Sequence, residues 1–309
     1  MKFLLSLLLC LCFCMPAQAA TGDQDREFTA TVFPVWLILH EVTRDVPGVN
    51  VSLLLPAASG CPHDYAMTPN DRRRLARADV LVINGLGLES FLGDGKNMKA
   101  LMKPDATVID ASKGVADLIQ AEGHDHGGKH HHDCGPNPHI FASPSMMAQM
   151  ALSVSAQLAS LDPAYAHQYE ANGRVTATRL EALAAECKSL GGRLSNRAVI
   201  AQHNIFDYLA RDIGLTVEAL IQPHDGQEPS ARAMLDLVRL IRSHKVAAVV
   251  TEPQYPARAG RTLAAETGIP CISLDPAANG PDELDAPLDW YETLMRANLR
   301  TLEQALGTR

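Results

Sequence analysis

The sequence predicts an α/β protein of two lobes, each with a parallel sheet flanked by helices, joined by one long rigid helix. Three observations carry that prediction. Short apolar strand-like runs alternate with helix-like or polar stretches, the pattern of β/α units and a parallel sheet. The alternation occurs twice, as two sets of four runs. Between the sets lies Ala148 to Leu190, rich in Ala, Leu, Glu and Gln and broken only at Asp162-Pro163. With 47% hydrophobic and 20% charged residues in 309, the chain can bury two cores and is neither disordered nor fibrous.

Residues 1–20 read as a cleaved signal segment. Lys2 precedes an almost unbroken apolar run of eleven residues, Phe3 to Phe13, then Pro16 and the small-x-small pattern Ala17-Gln18-Ala19. The run is too short to span a bilayer. Cys10, Cys12 and Cys14 follow Leu9, Leu11 and Phe13, bulky residues where a lipid anchor requires a small one. The expectation is an exported, soluble periplasmic protein. The N-terminal lobe, over 26–160, takes the strand candidates Thr29 to Phe33, Val49 to Leu55, Val80 to Asn84 and Thr107 to Ile109. The linking helix falls over 161–192. Pro163 behind Asp162 suits its first turn, and Pro163 to Leu190 would extend about 42 Å. The C-terminal lobe, over 193–306, takes Ala198 to Gln202, Thr216 to Ile221, Ala247 to Thr251 and Cys271 to Leu274.

Charge excludes one class of partner. The net charge of −8 becomes −9 when Lys2 leaves with the signal, which disfavours nucleic acid. Arg72-Arg73-Arg74 is read as a solvated helix face. Four cysteines remain after the signal, Cys61, Cys134, Cys187 and Cys271, and allow three full pairings. No C-x-x-C pair supports a zinc–thiolate site.

Histidine is where the chain concentrates its chemistry. Residues 121–138 carry His124, His126, His130, His131 and His132 among four glycines and two prolines, with no apolar period. This is a surface loop of metal-binding composition, an auxiliary low-affinity site. With His139 there are six imidazoles in sixteen residues. Three other donors stand at strand ends or proline-marked turns: His63 in Pro62-His63-Asp64-Tyr65, His203 after Ala198 to Gln202, and Asp275 after Cys271 to Leu274. Ligands of open α/β sheets gather at the carboxyl ends of strands. His63 and His139 would come from one lobe, His203 and Asp275 from the other. Three neutral imidazoles and one carboxylate match a tetrahedral zinc site in number and donor type. Glu252, also ending a strand, is read as orienting an imidazole N–H, with replacement of Asp275 as its alternative role.

At these residues the chain resembles the metal-binding proteins of ABC importers, the ZnuA/TroA-like cluster A-I family, in its zinc branch. The likeness rests on Pro62-His63-Asp64-Tyr65 with Pro69 and Asp71, Asn137-Pro138-His139 with Ser143-Pro144, and Gln202-His203 with Tyr208 and Gly214-Leu215. Glu252-Pro253-Gln254 with Leu274-Asp275-Pro276, and Glu228-Pro229-Ser230, complete it. The resemblance covers Ala30 to about Ala305. It implies a metal held between two lobes by His63, His139, His203 and Asp275, a membrane permease as partner, a monomeric state, and a periplasmic metallochaperone as a further candidate partner. Two departures stand out: Cys61, read as a small buried residue in preference to an extra soft ligand, or as a disulfide partner of Cys134, and Phe141-Ala142, where the family carries bulkier residues.

Zn²⁺ is the expected metal, because manganese relatives place a carboxylate at the position of His203, and Mn²⁺ prefers harder oxygen donors. The alternatives are a manganese- or iron-binding protein of the same transporter class, an exported zinc hydrolase, and an adhesin or passive metal buffer. Four protein ligands leave no open position for a catalytic water, and H-E-x-x-H and G-x-S-x-G are both absent. His40, His167 and His244 are read as packing or surface residues. His224, in Pro223-His224-Asp225-Gly226, is a lesser candidate for approaching the site.

Overall fold

The computed structural model describes residues 25–60, 62, 65–120, 135–222, 228–281 and 287–307. The signal segment 1–20, Cys61, His63, Cys134 and His224 lie outside them, as do the five histidines of the 121–138 segment. The N-terminal sheet comprises β1 (Arg26–Ala30), β2 (Val49–Leu53), β3 (Val80–Ile83) and β4 (Thr107–Asp110), in the order β2-β1-β3-β4. The C-terminal sheet comprises β5 (Ala198–Ala201), β6 (Thr216–Leu220), β7 (Ala248–Thr251) and β8 (Cys271–Ser273), in the order β6-β5-β7-β8. Every strand pair in both sheets is parallel. The two sheets share one topology, and in each the strand order reverses beside the first strand, where α/β proteins open a binding crevice.

The helices begin where local chemistry dictates. Phe33, placed by its apolar run in the first strand, instead opens α1 (Phe33–Val42). Pro34 decides this, since its fixed φ and missing N–H suit a first helical turn and not a sheet interior. Thr68 and Asp71 cap α2 (Pro69–Leu75) reciprocally, again with proline in the first turn. α3 (Gly95–Ala100) is short and exposed. α4 (Pro144–Leu161) starts at Ser143, whose hydroxyl accepts from the Met146 N–H. A 3₁₀ turn over Pro163–Tyr165 separates it from α5 (Ala166–Gly191), the long helix, whose 26 residues extend about 39 Å. α6 (Asp207–Ile213), α7 (Ala231–Ser243) and α8 (Arg258–Thr267) cover the C-terminal sheet, and α9 (Pro287–Leu306) closes the chain.

The lobes do not have separate cores. One buried cluster runs from the N-terminal sheet through α1, α4, α5 and α9 to Val199, Phe206, Leu209 and Leu274 in the C-terminal lobe. A smaller cluster, including Ile200, Ile221, Ile241 and Leu263, fills the far face of the C-terminal sheet. Trp290 of α9 meets the Phe33 ring edge-on at 5.3 Å. Gly280 lies against the same ring, where any β-carbon would overlap it, and its N–H reaches the Ala57 carbonyl at 2.9 Å. Arg179 and Arg296 tie α5 and α9 together, Arg179 to Asp289 and Glu292 and Arg296 to Glu186. Cys187 is buried and Cys271 partly buried; both are free thiols, which removes every pairing that involves them. Burial pushes the Cys187 thiol up to about 12, so it stays protonated and unreactive.

Candidate metal centre

β5 delivers His203. The strand ends at Ala201, Gln202 is buried, and His203 follows in extended backbone immediately before a 3₁₀ turn. Its ring is nearly sealed from solvent. Nδ1 lies 2.5 Å from Oε1 of Glu252, which leaves the end of β7 and is itself buried. Gln202 supports both strand ends, donating to Gln222 at 3.1 Å and accepting from the Glu252 N–H at 3.4 Å. A carboxylate on Nδ1 keeps the proton there and leaves Nε2 as the lone-pair nitrogen, the arrangement in which imidazoles meet metals.

His139 arrives from the other lobe, on the turn that opens toward α4. It is buried, and its Nδ1 lies 2.9 Å from Oδ1 of Asn137. The two imidazoles face each other edge to face, ring centres 5.8 Å apart and planes at 86°. Two imidazoles on one tetrahedral zinc at about 2.0–2.1 Å would have centres about 5 Å apart, so this spacing needs little adjustment. Phe141 stands edge-on to His139 at 5.9 Å, and Tyr255 edge-on to His203 at 5.4 Å. Together they wall the pair with aromatic carbon. Phe141 and Ala142 are both buried, so the smaller residues at this point still form a closed wall.

Asp275 follows β8. Its Oδ1 accepts from the Ala277 N–H at 2.9 Å and from the Gln254 amide at 3.2 Å, which links it to the loop that begins at Glu252. Asn298 of α9 clasps its backbone, accepting from the N–H and donating to the carbonyl. Burial pushes the Asp275 carboxyl above its ordinary range, against those two hydrogen bonds. A divalent cation would reverse that cost by favouring the anion.

The structure thus brings His139, His203 and Glu252 together and places Asp275 on the neighbouring loop. Among the described residues, no three His, Cys, Asp or Glu side chains are grouped to hold one metal ion. His63 lies outside them. The discounted histidines sit away from this cluster: His40 packs against Trp36, His167 is exposed, and His244 pairs with Glu218 at the surface. Sequence reasoning missed Tyr255, and it missed the part played by Asn137. The only available signal for Asn137 was an amide two residues before a histidine, with proline between.

Comparison with known proteins identifies the family and the fold. The family model ZnuA, zinc-uptake complex component A, periplasmic, matches residues 29–305. The high-affinity zinc uptake system protein ZnuA of Bacillus subtilis is 28% identical over 290 residues, covering 92% of this chain and 88% of the relative. A crystal structure of ZnuA superposes with a TM-score of 0.75 at 28% identity, covering 91% of this chain and 99% of that one. The solute-binding protein FpvC of Pseudomonas aeruginosa, in complex with Mn²⁺, superposes at 0.78 and 28% identity, covering 91% and 98%. With the family model spanning nearly the whole chain, and both lobes and the long helix shared with solved structures, this chain belongs to the ZnuA family of periplasmic zinc-uptake components.

Proposed function

We propose that this protein captures Zn²⁺ between its two lobes and hands it to the membrane permease of an ABC importer. The family is one of metal-binding transport components and not of enzymes. The observation that carries the reading is the meeting of two buried imidazoles from opposite lobes, each with Nδ1 held by an oxygen and Nε2 left as the metal-facing nitrogen. His63, His139, His203 and Asp275 form the proposed ligand set, with Glu252 behind His203. The contact at 2.5 Å supports the orienting role of Glu252 over its alternative as a ligand. The expected setting is the periplasm, the expected state a monomer, and a metallochaperone is a candidate donor of the ion. A core continuous across both lobes favours loop movement over lobe hinging during capture.

Zinc is proposed over manganese because the donor set is mostly imidazole. His203→Glu tests the choice, but glutamate there would face Glu252 as a second buried carboxylate. Like charges so close would protonate one of them. The double variant H203E with E252Q avoids this. It is expected to lower the zinc-to-manganese affinity ratio by on the order of tenfold or more, read by competition calorimetry. An unchanged ratio would remove His203 from the choice of metal.

Deleting Gly123 to Cys134 is expected to leave one tight site per chain and to remove weaker ones. The stems of the segment are pinned independently of it: Gln120 bridges Pro136, and the Asn137 N–H reaches the Ile119 carbonyl at 2.8 Å. Ala121, Glu122 and Gly135 remain to join those stems, a length that short hairpin loops manage. Glycine-rich chain must also lose entropy to chelate, so its sites should be weaker. Loss of the tight site with an intact fold by circular dichroism would mean that the loop supplies ligands.

A further inference from the structure

Asn137 determines which nitrogen His139 presents, and the groups that determine Asn137 belong to the other lobe. The Asn137 side chain is fully buried and makes four polar contacts. Its Nδ2 donates to the Asn204 carbonyl and to Oδ2 of Asp207, both at 2.9 Å. Its Oδ1 accepts from the His139 backbone N–H at 3.0 Å and faces His139 Nδ1 at 2.9 Å. The flipped amide is excluded by chemistry. A carbonyl and a carboxylate can only accept, and a backbone N–H can only donate. Oδ1 therefore faces the ring, Nδ1 carries the proton, and Nε2 holds the lone pair.

The lobes contribute differently to this turn. From the N-terminal lobe, the Asn84 amide donates to the Pro138 carbonyl at 3.0 Å. From α6 in the C-terminal lobe, the Tyr208 hydroxyl donates to the Asn137 carbonyl at 2.7 Å, one residue beyond Asp207. Asn204 directly follows His203, so the segment that carries one imidazole also orients the amide that sets the other. α6 is further fastened to the start of α4, where Asp212 accepts from the Ser143 and Ser145 hydroxyls at 2.5 and 2.7 Å.

We propose that Asn137 is a positioning residue for metal capture, oriented from the C-terminal lobe by Asp207 and the Asn204 carbonyl, so that His139 offers Nε2 to the metal only while the two lobes are docked. This rests on His139 being a ligand. Any partner that draws α6 away from the Asn137-Pro138-His139 turn frees the amide to rotate and lowers the affinity, which is a route to release.

The test compares wild type with Asp207→Ala and Asp207→Asn in the full chain. Asp207→Ala removes an anchor while leaving Asn137 and every proposed ligand in place. Asp207→Asn keeps an oxygen that accepts from Nδ2. Ring ¹⁵N spectra of the metal-free protein, recorded where free imidazole is neutral and with His139 assigned by its loss in H139A, report the tautomer. Chelator competition reports zinc affinity. The expected result is a single Nδ1–H tautomer in wild type, mixed tautomers and about tenfold weaker zinc binding in D207A. D207N should return the tautomer, with affinity within about threefold of wild type. Weaker binding with an unchanged tautomer, a mixed tautomer with unchanged affinity, no change in either, or no rescue by D207N overturns the proposal. A wild-type chain without a tight zinc site overturns the metal-binding reading as well, whereas a tight wild-type site with an unaffected D207A overturns only the relay.

Discussion

Replacing His139 with alanine is expected to weaken zinc binding by more than about a hundredfold, because loss of a residue that merely orients a ligand already costs about 10–100-fold. As a proposed ligand, His139 would supply the nitrogen itself. The site cannot recruit water cheaply in its place, since the ring is buried between Phe141, His203 and the Asn137 amide. The variant should still fold. Asn137 keeps its contacts to Asn204, Asp207 and the backbone of residue 139, none of which needs the imidazole. His244→Ala is the matched control, an exposed histidine whose partner is the partly buried Glu218. Chelator competition on both, with circular dichroism for the fold, decides the matter. Near-wild-type affinity in H139A would take His139 out of the ligand set.

Zinc is expected to raise the melting temperature of the metal-free protein by roughly 6 °C. A ligand that binds only the native state at a thousandfold excess over Kd contributes about 4 kcal/mol. At about 2 cal/mol/K of unfolding entropy per residue, a chain of 309 residues gains somewhat less than about 2 °C per kcal/mol. The gain should appear as one shifted transition, because a single buried cluster spans both lobes, and metal at the proposed site would stabilise everything packed on it. Chelator should return the curve to its starting point. Identical curves with and without zinc would sink the binding-protein reading, whatever the fold.

Much of this architecture was legible in the sequence, and the reasons are local. All eight strand candidates correspond to strands, because short apolar runs flanked by breakers have few other ways to be buried in an α/β chain. The one substantive displacement is at Phe33, where Pro34 turned an apolar run into a helix start. Ser143-Pro144 likewise started α4 four residues ahead of the Ala- and Leu-rich stretch read from Ala148, by supplying a cap and a first-turn proline together. His139, His203, Asp275 and Glu252 were legible as candidates because each ends a strand or occupies a proline-marked turn, positions where an α/β fold presents side chains to a crevice.

What no linear reading could supply is partnership. His203 and Glu252 are 49 residues apart and meet at 2.5 Å only because β5 and β7 are neighbours in the sheet order. His139 and His203 come from different lobes and face each other because one core packs those lobes together. The proton position on His139 depends on an amide that is itself set by Asp207, 70 residues away. The sequence by itself determined the elements and the donor chemistry, since both follow from short-range sterics and from the atoms each residue carries. Tertiary structure alone decided which donors face one another and which nitrogen each presents, because hydrogen-bond direction is a property of two groups in space and not of either group in the chain.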